Sequence, residues 1–96
     1  MKTPPVDPYW QVACEQQVHI FYLYRQFADK KPVMLFDIEE QRVYAYPYRE
    51  FAAGLSEKSQ RFLAEQYRMA CEEGNLVLFI RDNVKRKLVS YSVAIE

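Results

Sequence analysis

Two matched stretches decide how this chain folds: Tyr24-Arg25 with Val33-Met34-Leu35-Phe36, and Tyr67-Arg68 with Leu76-Val77-Leu78-Phe79. The offset between them is 43 throughout. Each is an aromatic-basic step followed about ten residues later by a short apolar run. After a turn read as two residues longer in the second copy, Val43-Tyr44-Ala45-Tyr46 matches Leu88-Val89-Ser90-Tyr91. Each copy reads as a helix followed by a hairpin. Two tandem αββ units predict an α+β domain, (αββ)2, in which a four-stranded antiparallel sheet carries both helices on one face. The halves run over about 9–48 and 55–96, related by a pseudo-two-fold. Nothing obvious in the chain covers the second sheet face.

The first helix spans Tyr9 to about Ala28, with Trp10, Ala13, Cys14, Phe21 and Tyr24 at helical spacing. Its Val18–Tyr24 segment is aromatic and β-branched and taken alone suits a strand. The clearer helix at Arg61–Arg68 in the second copy argues for helix in both. Asp29-Lys30-Lys31-Pro32 breaks the helix. Strands follow at Val33–Ile38 and Val43–Tyr48, and Pro47 places the second at an edge, because proline cannot donate to a central ladder. Arg49–Leu55 is a connection with a helical turn. Ser56 is an N-cap for the next helix, Glu57 complements its dipole, and Gly74 ends it as a left-handed cap. Leu76–Ile80 and Leu88–Ile95 are the last two strands; in the latter Val89, Tyr91, Val93 and Ile95 share a face. Residues 1–8, with Pro4, Pro5 and Pro8, read as an extended N-terminal arm, and 9–96 as one domain.

Half of the 96 residues are apolar and 16% are aromatic, enough to fill a modest core. Thirteen basic and 13 acidic side chains give zero formal net charge, which weighs against nucleic acid as a partner and weakens repulsion between copies. Met1-Lys2-Thr3-Pro4-Pro5 carries no apolar signal region and no run is long enough to cross a bilayer, so a cytoplasmic setting with both thiols free is the expectation. Cys14 and Cys71 have neither metal nor redox spacing, and His19 is the only histidine, so no metal or cofactor is expected.

Tyr44, Tyr46 and Tyr48 alternate onto one strand face and admit two readings. They form an aromatic platform for bases or a protein, or they point into the core with hydroxyls at the rim. Their alignment with Val89, Tyr91 and Val93 favours the core. One hairpin tip carries Asp37, Glu39 and Glu40, the other Arg81, Lys85, Arg86 and Lys87. These are either solvated turns or complementary patches for head-to-tail association. No phosphate loop, nucleophile elbow or calcium loop is present, and no catalytic residue is assigned.

The reading is a small, non-enzymatic protein-binding or regulatory module that forms homodimers or binds a protein partner, burying Trp10, Tyr22 or the strand tyrosines. One alternative is a single-stranded nucleic-acid binder with Tyr44 and Tyr46 as platform and Arg81, Lys85, Arg86 and Lys87 as the basic funnel. Another, an enzyme, needs Cys71 brought to His19.

Overall fold

A computed structural model describes residues 7–95. The chain runs α1 (Pro8–Glu15), α2 (Gln17–Gln26), a 3₁₀ turn (Ala28–Lys30), β1 (Val33–Asp37), β2 (Arg42–Tyr46), α3 (Tyr48–Ala53), α4 (Glu57–Glu73), β3 (Asn75–Asp82) and β4 (Lys87–Ala94). The sheet order is β2-β1-β3-β4. The sheet is mixed rather than antiparallel: β1 and β3 pair in parallel, with Leu35 beside Phe79 and Asp37 beside Arg81, while each hairpin pairs antiparallel. The parallel pair needs a long crossover, which β2, α3 and α4 supply.

The helices do not share a face. Met34, Phe36, Leu76, Leu78 and Ile80 cluster with Ala13, Ile20, Phe21 and Tyr24 from α1 and α2. The intervening Val33, Leu35, Val77 and Phe79 cluster with Leu63 and Ala70 of α4. Side chains alternate across a strand, so the two cores lie on opposite sides of the sheet and the expected one-face packing is corrected to three layers. The reason is written in β1, where all five residues are buried, and in Leu76–Ile80 of β3, all buried. Strands apolar at every position need cover on both sides.

The first helix of the sequence reading divides at Gln16, although backbone bonds from Gln16 to Val12 and from Ile20 to Gln16 carry the helical path through the break. Of the stretch 1–8 read as an arm, residues 7 and 8 belong to the start of α1. Asp7 caps α1, accepting from the Tyr9 amide at 3.0 Å, and Pro8 is the first helical residue, where its missing N–H costs nothing. The rest of the arm, residues 1–6, lies outside the described residues. Ser56 caps α4 through the Ser59 amide and Gly74 ends it at φ 75°, both as read from the sequence.

The two hairpin turns are equal in length, 38–41 and 83–86. The two extra residues sit at the end of β3 instead. Both turns use one device: Asp37 and Asp82 accept from the amide three residues on, Glu40 and Lys85. The turn ends on a left-handed residue, Gln41 (φ 54°) or Arg86 (φ 55°). That region costs a residue with a Cβ roughly 1–2 kcal/mol. Arg86→Gly therefore raises stability by a few tenths of a kcal/mol or more, after its larger unfolded-state entropy is discounted. Gly74→Ala lowers it by about 1 kcal/mol from backbone strain alone, since an added Cβ there meets nothing within 4 Å. Urea unfolding of both variants checks the opposed signs.

Candidate functional site

Both hairpin turns lie at one end of the sheet, because β1 and β3 are parallel neighbours. Their charges are therefore spent partly on each other. Asp37 is 1% exposed and accepts from Arg81 Nε at 2.8 Å, from the Glu40 amide at 3.0 Å and from Asn83 Nδ2 at 3.4 Å. The Ile38 amide donates to the Arg81 carbonyl at 3.0 Å. Acidic and basic tips side by side do not form the opposed poles that head-to-tail association needs. Burial pushes the Asp37 carboxyl up, but the backbone donors and the Arg81 guanidinium outweigh it and hold it below the usual carboxylate range.

A second set of polar contacts fastens α1 over β3 and β4. The Tyr9 hydroxyl donates to Asp82 at 2.8 Å and the Tyr91 hydroxyl donates to Asp7 at 2.7 Å. The Lys85 amide and Tyr9 hydroxyl lower Asp82, and the Tyr91 hydroxyl lowers Asp7. Burial first, and then the bond to Asp7, raise Tyr91. The Trp10 ring lies 5.0 Å from that of Tyr91.

Tyr44, Tyr46 and Tyr48 pack against the α4-side core and are half-buried. Tyr44 and Tyr46 stack at 5.7 Å, Tyr46 meets Phe51 at 5.8 Å, and Tyr48 meets Tyr67 at 4.7 Å. The Tyr44 hydroxyl donates to Glu40, and Arg42 stands over its ring at 5.2 Å. The rings are thus engaged with neighbouring side chains, and an acidic partner holds the outermost. Tyr48 itself belongs to α3 rather than to the strand. Lys85 and Arg86 are exposed in the second turn and Lys87 at the start of β4, with β1 and β3 standing between β4 and β2.

His19 is exposed and its Nδ1 lies 2.9 Å from Gln16 Oε1. Cys71 is in the opposite helix layer beside Tyr67, whose hydroxyl is pushed up to about 12, by burial first and then by Cys71. The structure does not assemble the Cys71–His19 pair. Among the described residues, no three His, Cys, Asp or Glu side chains group as metal ligands.

Two surfaces stand out in their place. Along α1 and α2, Trp10, Cys14, Val18 and Tyr22 recur every four residues and are exposed, Val18 at 77% and Tyr22 at 68%. The sequence marks Trp10 and Tyr22 as interface candidates, and the i,i+4 spacing through Cys14 and Val18 is the signal that joins them. On the other side of the sheet a crevice of about 420 Å³ lies between α3 and the strands, walled by Leu35, Phe51, Leu55 and Leu88 with Arg81 and Glu50. No sequence pattern marks this crevice, because its walls come from all four strands and the α3 region.

No protein-family model, curated protein or solved structure matches the chain. The surfaces themselves carry the functional argument.

The clamp predicts a pH dependence. A carboxyl with a depressed folded pKa contributes stability that is present above its unfolded value of about 3.9 and lost as pH falls through the folded value. Wild-type protein therefore loses stability progressively below pH ~4. Asp37→Asn is about 2 kcal/mol less stable at neutral pH, because Arg81 and the Glu40 amide lose a charged acceptor. It shows a shallower fall on acidification, checked by urea midpoints along a pH series.

Proposed function

We propose that this chain is a non-enzymatic protein-binding module that self-associates through the outer stripe of α1 and α2. The observation that carries this reading is Val18 and Tyr22, strongly exposed on a helix whose inner face is already packed on the sheet, with Cys14 and the outer edge of Trp10 exposed in the same row. Trp and Tyr are among the side chains that gain most from being desolvated at an interface. Two copies of one stripe are self-complementary about a two-fold axis, and zero formal net charge leaves little long-range repulsion to oppose it. Free thiols at Cys14 and Cys71, in opposite helix layers, suit a reducing cytoplasm. A regulatory role, with a further protein partner displacing the second copy, fits the same surface.

The reading extends to the architecture. The halves are taken as an αββ pair related by an axis along the strands, an operation that keeps β1 and β3 parallel and exchanges the two faces. The 43-residue offset supports it. Phe36 faces α2 of its own half, its counterpart Phe79 faces α4 of the other, and Tyr24 and Tyr67 belong to the corresponding cores.

Sedimentation equilibrium across a concentration series tests self-association. Wild-type protein is expected to dimerise, and Val18→Glu/Tyr22→Glu to weaken that at least about a hundredfold, through paired like charges in a desolvated contact. Circular dichroism of the variant stays unchanged because both side chains are exposed. A wild-type monomer at high micromolar concentration, or a variant that dimerises as wild type does, would sink the proposal. In a Cys71→Ser background, a short bis-maleimide links copies through Cys14 only if the stripes meet.

A further inference from the structure

We infer that the crevice between α3 and the strand surface is a binding site for a small zwitterion with an apolar side chain, an apolar α-amino acid being the simplest case. The site lies on the sheet face opposite the α1–α2 stripe, so it stands or falls independently of self-association. Its volume of about 420 Å³ falls in the range of small-ligand clefts, roughly 300–1,000 Å³. Most of the lining is apolar, from Leu35, Phe51, Leu55 and Leu88, with Tyr46 adding an aromatic wall. Only two charged side chains take part, one of each sign: Arg81 and Glu50.

Arg81 is prepared for a carboxylate. Its Nε is committed to Asp37 at 2.8 Å, and Asp37 is held in turn by the Glu40 amide and Asn83. This fixes one edge of the planar guanidinium. The terminal nitrogens make no hydrogen bond among the described residues, and the side chain remains 39% exposed. A guanidinium gripped through Nε keeps its other edge free for the two parallel bonds a carboxylate accepts, and a pre-oriented fork loses little entropy on binding. Arg81 sits between Asp37 on β1 and Leu88 on β4, its register partners on either side, so a carboxylate bound to it lies next to apolar surface.

Glu50 decides the class. A simple apolar acid would bring its carboxylate to a cleft that already carries one, and an apolar amine would face the Arg81 cation. A zwitterion satisfies both walls, carboxylate on Arg81 and ammonium on Glu50, while its side chain takes the apolar floor. The zwitterion brings no net charge to a crevice in which Arg81 is already paired with Asp37 and Glu50 stands exposed at the wall.

The test uses ¹⁵N-labelled full chain titrated with L-phenylalanine, 3-phenylpropionate (no ammonium) and phenethylamine (no carboxylate). The expected result is a saturable movement of the Leu35, Gly54, Leu55 and Leu88 amides with phenylalanine, and at least about tenfold weaker binding of either control, the factor one lost charge-assisted hydrogen bond represents. Glu50→Gln, in an exposed position, keeps the fold and brings phenylalanine down to the affinity of 3-phenylpropionate. Arg81→Lys keeps a cation beside Asp37 but loses the fork, and binding falls by a similar factor. Absence of any saturable shift with phenylalanine overturns the assignment. So does equal binding of either control, or movement of amides on α1 and α2 alone.

Discussion

The parallel pairing of β1 with β3 is the constraint on which the rest of the molecule depends. These are the central strands, and their side chains are buried on both faces from Val33 to Asp37 and from Leu76 to Ile80. Phe36 and Ile80 point to one core, Leu35 and Phe79 to the other. Neither core is large. Each helix layer stabilises the sheet by taking one set of alternating residues from water, at roughly 25 cal/mol per Å² of apolar surface. A domain of this size cannot leave one side of such a sheet bare. The position of α4 follows from this, as does the length of the connection through β2 and α3, since parallel neighbours cannot be joined by a tight turn.

Polar contacts then fix what the cores leave loose. At the end of the sheet where both turns fall, Asp37 ties β1 to β3 through Arg81 and Asn83. Asp82 and Asp7 hold α1 down through the hydroxyls of Tyr9 and Tyr91. In both hairpins an aspartate accepts the amide three residues on, so two groups that are costly to bury satisfy donors a tight turn would otherwise orphan. Arg81 acquires its orientation from this clamp. The side chain that offers the crevice a cation is thus also a structural one, and the crevice inherits the rigidity of the strand ends.

Parts of the candidate site were legible in the chain and parts were not. Of the three tyrosines that the alternation places on one strand face, Tyr44 and Tyr46 share it, and Tyr48 falls in α3. That face turned out to be covered by α3 and α4, and their rings are engaged with Phe51 and with each other. Trp10 and Tyr22 stood out as aromatics in a helix apolar on nearly every side, and they are exposed. The opposed charges of the two turns were visible too, but their adjacency was not. Asp37 and Arg81 are 44 positions apart and meet only because of the strand order. His19 and Cys71 are a converse case, both on helices but in different layers.

By itself the sequence determined the local elements: the helix caps at Ser56 and Gly74, the hairpins, and the edge position of the strand before Pro47. These depend on neighbours within a few residues, through propensity, capping and side-chain period. It also held a sign of the layering, since Val33-Met34-Leu35-Phe36 and Leu76-Val77-Leu78-Phe79 are unbroken apolar runs of the kind found in strands covered on both sides. Only the tertiary structure decided that β1 and β3 run parallel, that the helices lie on opposite faces, and that Arg81 stands between Asp37 and an apolar cleft. The physical reason is that strand order and direction are settled by which buried surfaces fit together across the whole chain, and no local pattern encodes a neighbour 44 residues away.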